Sequence, residues 1–224
     1  MFADDLLASR DALSEMICLL DSDRDICLVA SSRNIIDAQS VVLRVKSSFD
    51  KDLIAPGTSI IHKCLYHSRN LIGEPTTVMF RKDHARRGFN EGYEHLLDMG
   101  IWFHLLEKGK FAYINRHLCS FWVHPAQKRA DNVRKRVYLD DYYPLLRQYL
   151  DRPYVRVGWV LKNYLVVDAL YQFWKLNKKG LLERREASAS IKSRFLLFFF
   201  VYPFFKLAKP FMKIYVSLLR TVAV

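Results

Sequence analysis

The chain changes character at His124-Pro125, and that break constrains its fold more than any other feature. Before it, apolar runs of strand length alternate with segments of helical spacing; after it, only helical candidates follow. Ser9 can cap a helix running to about Asp23, with Ala12, Leu13, Met16, Ile17, Leu19 and Leu20 as a broad apolar face. The run Ile26 to Ala30 then reads as a buried strand, so the order is helix then strand, as in a crossover unit of an α/β sheet. Val41 to Val45 is a further strand at an edge, and Gly57 to His67 a short helix before the turn Ser68-Arg69-Asn70.

The segment from Ile72 to Gln127 is the densest in features. Gly73-Glu74-Pro75 is a turn feeding a strand over Thr76 to Arg81, and Arg87-Gly88-Phe89-Asn90 is a loop. Tyr93 to Lys108 has helical spacing, ended by Gly109; Phe111 to Ile114 and Cys119 to Val123 read as strands. Past Pro125, Asn132 to Leu150, interrupted by Pro144, and Gly158 to Lys178 are aromatic helices. The sequence predicts α/β organisation for residues 1–127, a helical extension over 128–190 and an amphipathic tail over 191–224.

Charge divides the chain in the same way. Of the net +12, residues 1–125 contribute 15 Lys and Arg against 16 Asp and Glu, whereas residues 126–224 hold 20 against 7. A basic excess in a stretch rich in Phe, Leu, Tyr and Trp fits an anionic membrane surface better than nucleic acid. At 51% hydrophobic residues with 8 Gly and 7 Pro, a disordered or collagen-like chain is excluded. The four cysteines contain no C-x-x-C pair, which offers neither a zinc ribbon nor a disulfide scaffold and suits a reduced, cytosolic setting.

Five motifs occur in an order that resembles the family 2 glycosyltransferases, nucleotide-sugar-dependent enzymes with the GT-A fold, and the bacterial non-processive kind in particular. They are Ala3-Asp4-Asp5-Leu6-Leu7; Ile72-Gly73-Glu74-Pro75 with Phe80-Arg81; Arg87-Gly88-Phe89-Asn90-Glu91; Leu97-Asp98-Met99-Gly100-Ile101-Trp102; and Phe121-Trp122-Val123-His124-Pro125-Ala126-Gln127. The resemblance covers residues 1 to about 127. It implies the C-terminal half of a GT-A-type mixed-sheet domain, beginning at the Asp-x-Asp-like cluster without the nucleotide-binding βαβ half, and hence a truncated enzyme of little activity by itself. The Gln-x-x-Arg-Trp signature of processive synthases is absent.

The resemblance also implies roles. Asp5 matches a ligand of a divalent cation, Mn²⁺ or Mg²⁺, that neutralises the departing nucleoside diphosphate, with His124 approaching the same metal and Asp4 facing the nucleotide sugar. Asp4 and Asp5 also suit plain capping of the following helix. Asp98 matches the general base that deprotonates the acceptor hydroxyl as it attacks and inverts the anomeric carbon. Glu74, Arg87 and Trp102 are further candidates for donor or acceptor contacts, Trp102 equally suiting the core. Leu97 and His104 depart from the pattern, standing where a second acid and an arginine are common.

The activity so implied is transfer of a sugar from a nucleotide-diphosphate-sugar donor to a glycan or lipid-linked acceptor, in cell-surface polysaccharide synthesis. The alternative is an inactive membrane-associated or interaction module derived from such an enzyme. In the tail, the run Phe195 to Phe205 is broken by Lys206, Lys209 and Lys213 before the ~20 residues of a membrane span, which is the pattern of a helix lying in the interface plane. That predicts a peripheral protein on the cytoplasmic face of the membrane; the competing expectation is that the tail packs on the preceding helices.

Overall fold

The computed structural model describes residues 5–123 and 138–178, together with residues 203, 204, 206, 207, 210, 211 and 214. The chain divides into two compact units, Met1–Ala130 and Asp131–Val224. The first is mixed α/β. Its six strands are β1 (Leu6–Leu7), β2 (Ile26–Ile36), β3 (Val42–Lys46), β4 (Leu53–Pro56), β5 (Val78–Phe80) and β6 (Lys110–Trp122). Three helices accompany them: α1 (Ala12–Ser22), α2 (Gly57–His67) and α3 (Leu97–Leu106).

Two long parallel strands, β2 and β6, carry the sheet, and each borders short antiparallel strands at its two ends. At the start of the pair β4 lies on β6 and β5 on β2; at the far end β1 lies on β6 and β3 on β2. The expected break between Phe111–Ile114 and Cys119–Val123 is a bulge in one continuous strand. Ser31 registers against Ile114 and Ser32 against His117, so Asn115 and Arg116 are extra. Both are used: the Asn115 amide N–H donates to Asp52 at 2.7 Å, its side chain donates to the Asp50 carbonyl, and Arg116 pairs with Glu15.

β2 runs well past the expected Ile26 to Ala30, and the buried Ser32 and Arg33 that follow find partners there. The Ser32 hydroxyl lies 2.7 Å from the Tyr113 hydroxyl and 2.9 Å from that of Ser47, and Arg33 finds an acid. Helix α1 begins at Ala12, three residues after the expected Ser9 cap; Ser9 instead accepts the Asp11 N–H and makes the turn before the helix. Only Ala12, Met16 and Leu20 of its apolar face are buried, against Val29, Ala112, Ile114 and Leu118, while Leu13 and Ile17 stay exposed. On the other side of β6, Phe111 and Tyr113 pack on Phe49, as strand alternation requires.

Two other segments differ from expectation. Thr76 belongs to a 3₁₀ turn, Pro75–Thr77, before β5, and α3 begins at Leu97 because residues 90–96 form turns. Gly109 lies past the helix end, where its carbonyl accepts the Gly57 N–H at 2.9 Å. In the second unit α4 (Tyr138–Leu150) and α5 (Trp159–Lys178) pack through Leu145, Leu146, Tyr149, Leu161 and Leu165. Residues 203, 204, 206, 207, 210, 211 and 214 are helical; most of the run Phe195 to Phe205 lies outside the described residues.

Candidate functional site

The far end of the β2–β6 pair meets the loop from Asn70 to Thr77, and most of the described candidate residues gather there. The Asn70 carboxamide accepts the N–H groups of Ile72 and Gly73 at 3.0 Å and donates to the Gly73 carbonyl, closing the loop on itself. Gly73 sits at φ +134°, and a β-carbon there would lie 2.3 Å from the Thr77 hydroxyl, so the turn requires glycine. Its carbonyl also accepts the indole N–H of Trp102 at 3.1 Å. Trp102 is 1% exposed and stacks obliquely on Phe80. The structure therefore places Trp102 in the core, where it anchors the loop and offers no open ring face to a sugar.

Glu74, the next residue, is held from below. Arg33 and Lys46 are direct cross-strand partners on β2 and β3, and both reach the Glu74 carboxylate, Lys46 at 3.5 Å. Arg33 is 1% exposed. A buried guanidinium is tolerable only with an anionic partner, so Glu74 and Arg33 fix one another in place. The Arg33 Nε is buried without an acceptor among the described residues.

Asp5 lies just before β1, whose Leu6 and Leu7 register against Ser120 and Cys119. One carboxylate oxygen accepts the Trp122 N–H at 3.1 Å and the other accepts the Thr76 hydroxyl. The Thr76 carbonyl in turn accepts the Cys119 thiol at 3.1 Å. Burial, with the Asp5 charge adding to it, pushes the Cys119 thiol above its ordinary value, so it stays a protonated donor. Both oxygens bond protein donors and 3% of the residue is exposed, so Asp5 as disposed here fastens β1, β6 and the 3₁₀ turn together. Asp4 and His124 lie outside the described residues, and among the described residues no three His, Cys, Asp or Glu side chains converge as a metal site.

Asp98 stands in the first turn of α3, half-buried, with one oxygen 2.8 Å from the Met99 N–H. It is one helical turn before Trp102, and residues four apart share a helix face. Asp98 is thus on the side of α3 whose Trp102 bonds the Gly73 carbonyl. Arg87 is exposed and donates to the Gly100 carbonyl at 3.4 Å; it lies against the same end of α3 and makes no bond to Glu74. Burial first, then the charges of Arg87 and Lys108, pushes His104 below the ordinary histidine value. At neutral pH the cation beside this end of the helix is Arg87, not His104.

One loop therefore brings together Asp5, Glu74, Trp102 and the face of α3 that carries Asp98. Sequence reasoning missed Arg33, Lys46 and Thr76. Arg33 carried a usable signal, since a charge between Val29 and Ile35 in a strand demands a buried acid. Thr76 carried none. The chain matches no protein-family model and no curated protein.

Proposed function

We propose that the α/β unit is part of an inverting, non-processive glycosyltransferase of the GT-A type, an enzyme moving a sugar from a nucleotide-diphosphate donor to a glycan or lipid-linked hydroxyl. What supports the reading is the bond from Trp102 to the Gly73 carbonyl, which ties the loop carrying Glu74 to the helix carrying Asp98. Two carboxylates on rigid supports at one loop suit sugar chemistry: one accepts bonds from sugar hydroxyls while the other takes a proton.

In this mechanism Asp98 removes the acceptor hydroxyl proton as that oxygen attacks the anomeric carbon. The bond from that carbon to the diphosphate oxygen breaks on the opposite side, and the leaving nucleoside diphosphate keeps the electron pair. Arg87 and Lys46 bring positive charge to the site, and Arg33 keeps the Glu74 carboxylate from swinging away. Among the described residues no helix is long and apolar enough to cross a membrane, and we place the enzyme peripherally on the cytoplasmic face, where nucleotide sugars and lipid-linked acceptors meet.

The test is nucleoside diphosphate release from a panel of nucleotide sugars with membrane-extracted acceptors, by the chain joined to the nucleotide-binding βαβ half that the resemblance implies. Asp98→Asn is expected to lower turnover by about 10²- to 10⁴-fold while donor binding by calorimetry persists. Near-normal turnover in that variant removes Asp98 from the mechanism, and absence of both binding and release across the panel overturns the reading.

A further inference from the structure

Four apolar side chains among the described residues near the C-terminus are largely exposed: Phe204, Leu207, Phe211 and Ile214 at 75%, 75%, 74% and 61%. They follow one another at intervals of 3, 4 and 3, and at 3.6 residues per turn they fall within about 80° of the helix circumference. Lys206, helical and exposed, is about 160° from Phe204 on the same wheel. In the sequence Lys209 and Lys213 follow Lys206 at intervals of 3 and 4, the spacing of one helical face.

We infer that this stripe is a lipid-immersing surface, and that its occupant is the headgroup and upper acyl region of an anionic bilayer. The inference rests on the peripheral placement proposed above and specifies its contact surface and its lipid chemistry. Charge decides the occupant. The stripe belongs to a stretch holding 20 Lys and Arg against 7 Asp and Glu. A second copy of the chain would bring that same excess with it, whereas anionic lipid neutralises it. The apolar face has the width of an in-plane helix and not the girdle of a spanning one, which Lys206 alone would interrupt. Aromatic Phe204 and Phe211 enter the acyl boundary, and the lysines stay at the phosphate level, each adding about 5-fold to partitioning.

The experiment is flotation of the full chain with phosphatidylcholine vesicles, with and without phosphatidylglycerol, at low and high salt. The full chain is expected to float with the anionic vesicles, far less with phosphatidylcholine alone, and less as salt rises. Leu207→Asp with Phe211→Asp is expected to reduce flotation by at least about 10-fold, and Lys206→Glu by several-fold. The altered residues are exposed, so circular dichroism and urea midpoints should match the unaltered chain. Unchanged flotation of the doubly altered chain overturns the inference, as does failure of the full chain to float. Self-association in vesicle-free buffer that the same double change abolishes also overturns it, by assigning the stripe to a second copy. Nucleoside diphosphate release in solution is scored separately: a chain that turns over but does not float sinks only this inference, and one that floats without turnover sinks only the catalytic reading.

Discussion

The guanidinium of Arg33, in the middle of β2, meets the carboxylate of Glu74 inside the protein, with 2% and 12% of the two side chains exposed. A pair so placed adds little against a well-packed apolar pair, yet losing Arg33 takes from the Glu74 carboxylate its buried cation and leaves Lys46 at 3.5 Å to answer it. Arg33→Met should cost about 3–5 kcal/mol in urea unfolding followed by tryptophan fluorescence. Adding Glu74→Gln to it should recover much of that loss. If the double change is as unstable as the sum of the single ones, the two residues are not coupled.

Trp102→Phe keeps an aromatic ring beside Phe80 but removes the donor to the Gly73 carbonyl. The Asn70 amide still donates to that carbonyl, so losing one of its two donors should cost about 0.5–1.5 kcal/mol. Under the proposed mechanism turnover should fall further than this loss of folded protein accounts for, because Glu74 is released from its position; equal losses would confine Trp102 to packing.

Gly57 and Gly109 touch where the start of α2 meets the start of β6. A β-carbon on Gly57 would lie 2.2 Å from the Leu106 carbonyl oxygen, and one on Gly109 would lie 2.2 Å from that of Asp25. Backbone carbonyls cannot rotate aside as a side chain can. Alanine at either position is expected to exceed the usual overpacking cost of about 1–3 kcal/mol, seen as a lowered thermal midpoint or loss of soluble protein.

Two histidines give the stability a direction in pH. Burial, then the charge of Lys63, lowers the His62 value; burial, then Arg87 and Lys108, lowers that of His104. In the unfolded chain both bind a proton near pH 6.5. The unfolded state therefore holds more protons just below that pH, and stability present above it is lost as pH falls through the depressed folded values. Urea midpoints should drop between about pH 7.5 and pH 5.5, and His62→Gln with His104→Gln should flatten the drop. A midpoint that rises on acidification contradicts the assignment.

The edge strand β3 exposes Val42, Leu43 and Val45. An apolar strand edge invites pairing with other chains. Leu43→Lys should raise the soluble fraction at high protein concentration with little change in the urea midpoint, measured by light scattering and unfolding on one sample.

Local chemistry was readable wherever a short stretch carried its own pattern. Gly57 to His67 was legible as a helix with its ends, because apolar Ile60, Ile61, Cys64 and Leu65 recur at helical spacing and Ser68 takes the left-handed turn that stops it. Asp98 at the start of a helix and the Gly73-Glu74-Pro75 turn were legible for the same reason, and so was the amphipathic spacing of the tail. Tertiary structure decided the rest. Ser31, Ser32 and Arg33 look like the end of a strand, and the strand continues through them with Tyr113 and Asn115 meeting the Ser32 hydroxyl and Glu74 meeting Arg33, all from elsewhere in the chain. Asp5 looks like a residue facing a ligand, and its bonds to Thr76 and Trp122 were invisible in the sequence, since a carboxylate bonds whichever donors the fold brings nearest. Hydrophobic periodicity lives within a few turns of chain, whereas the partner of a buried charge is chosen by packing between segments far apart in sequence.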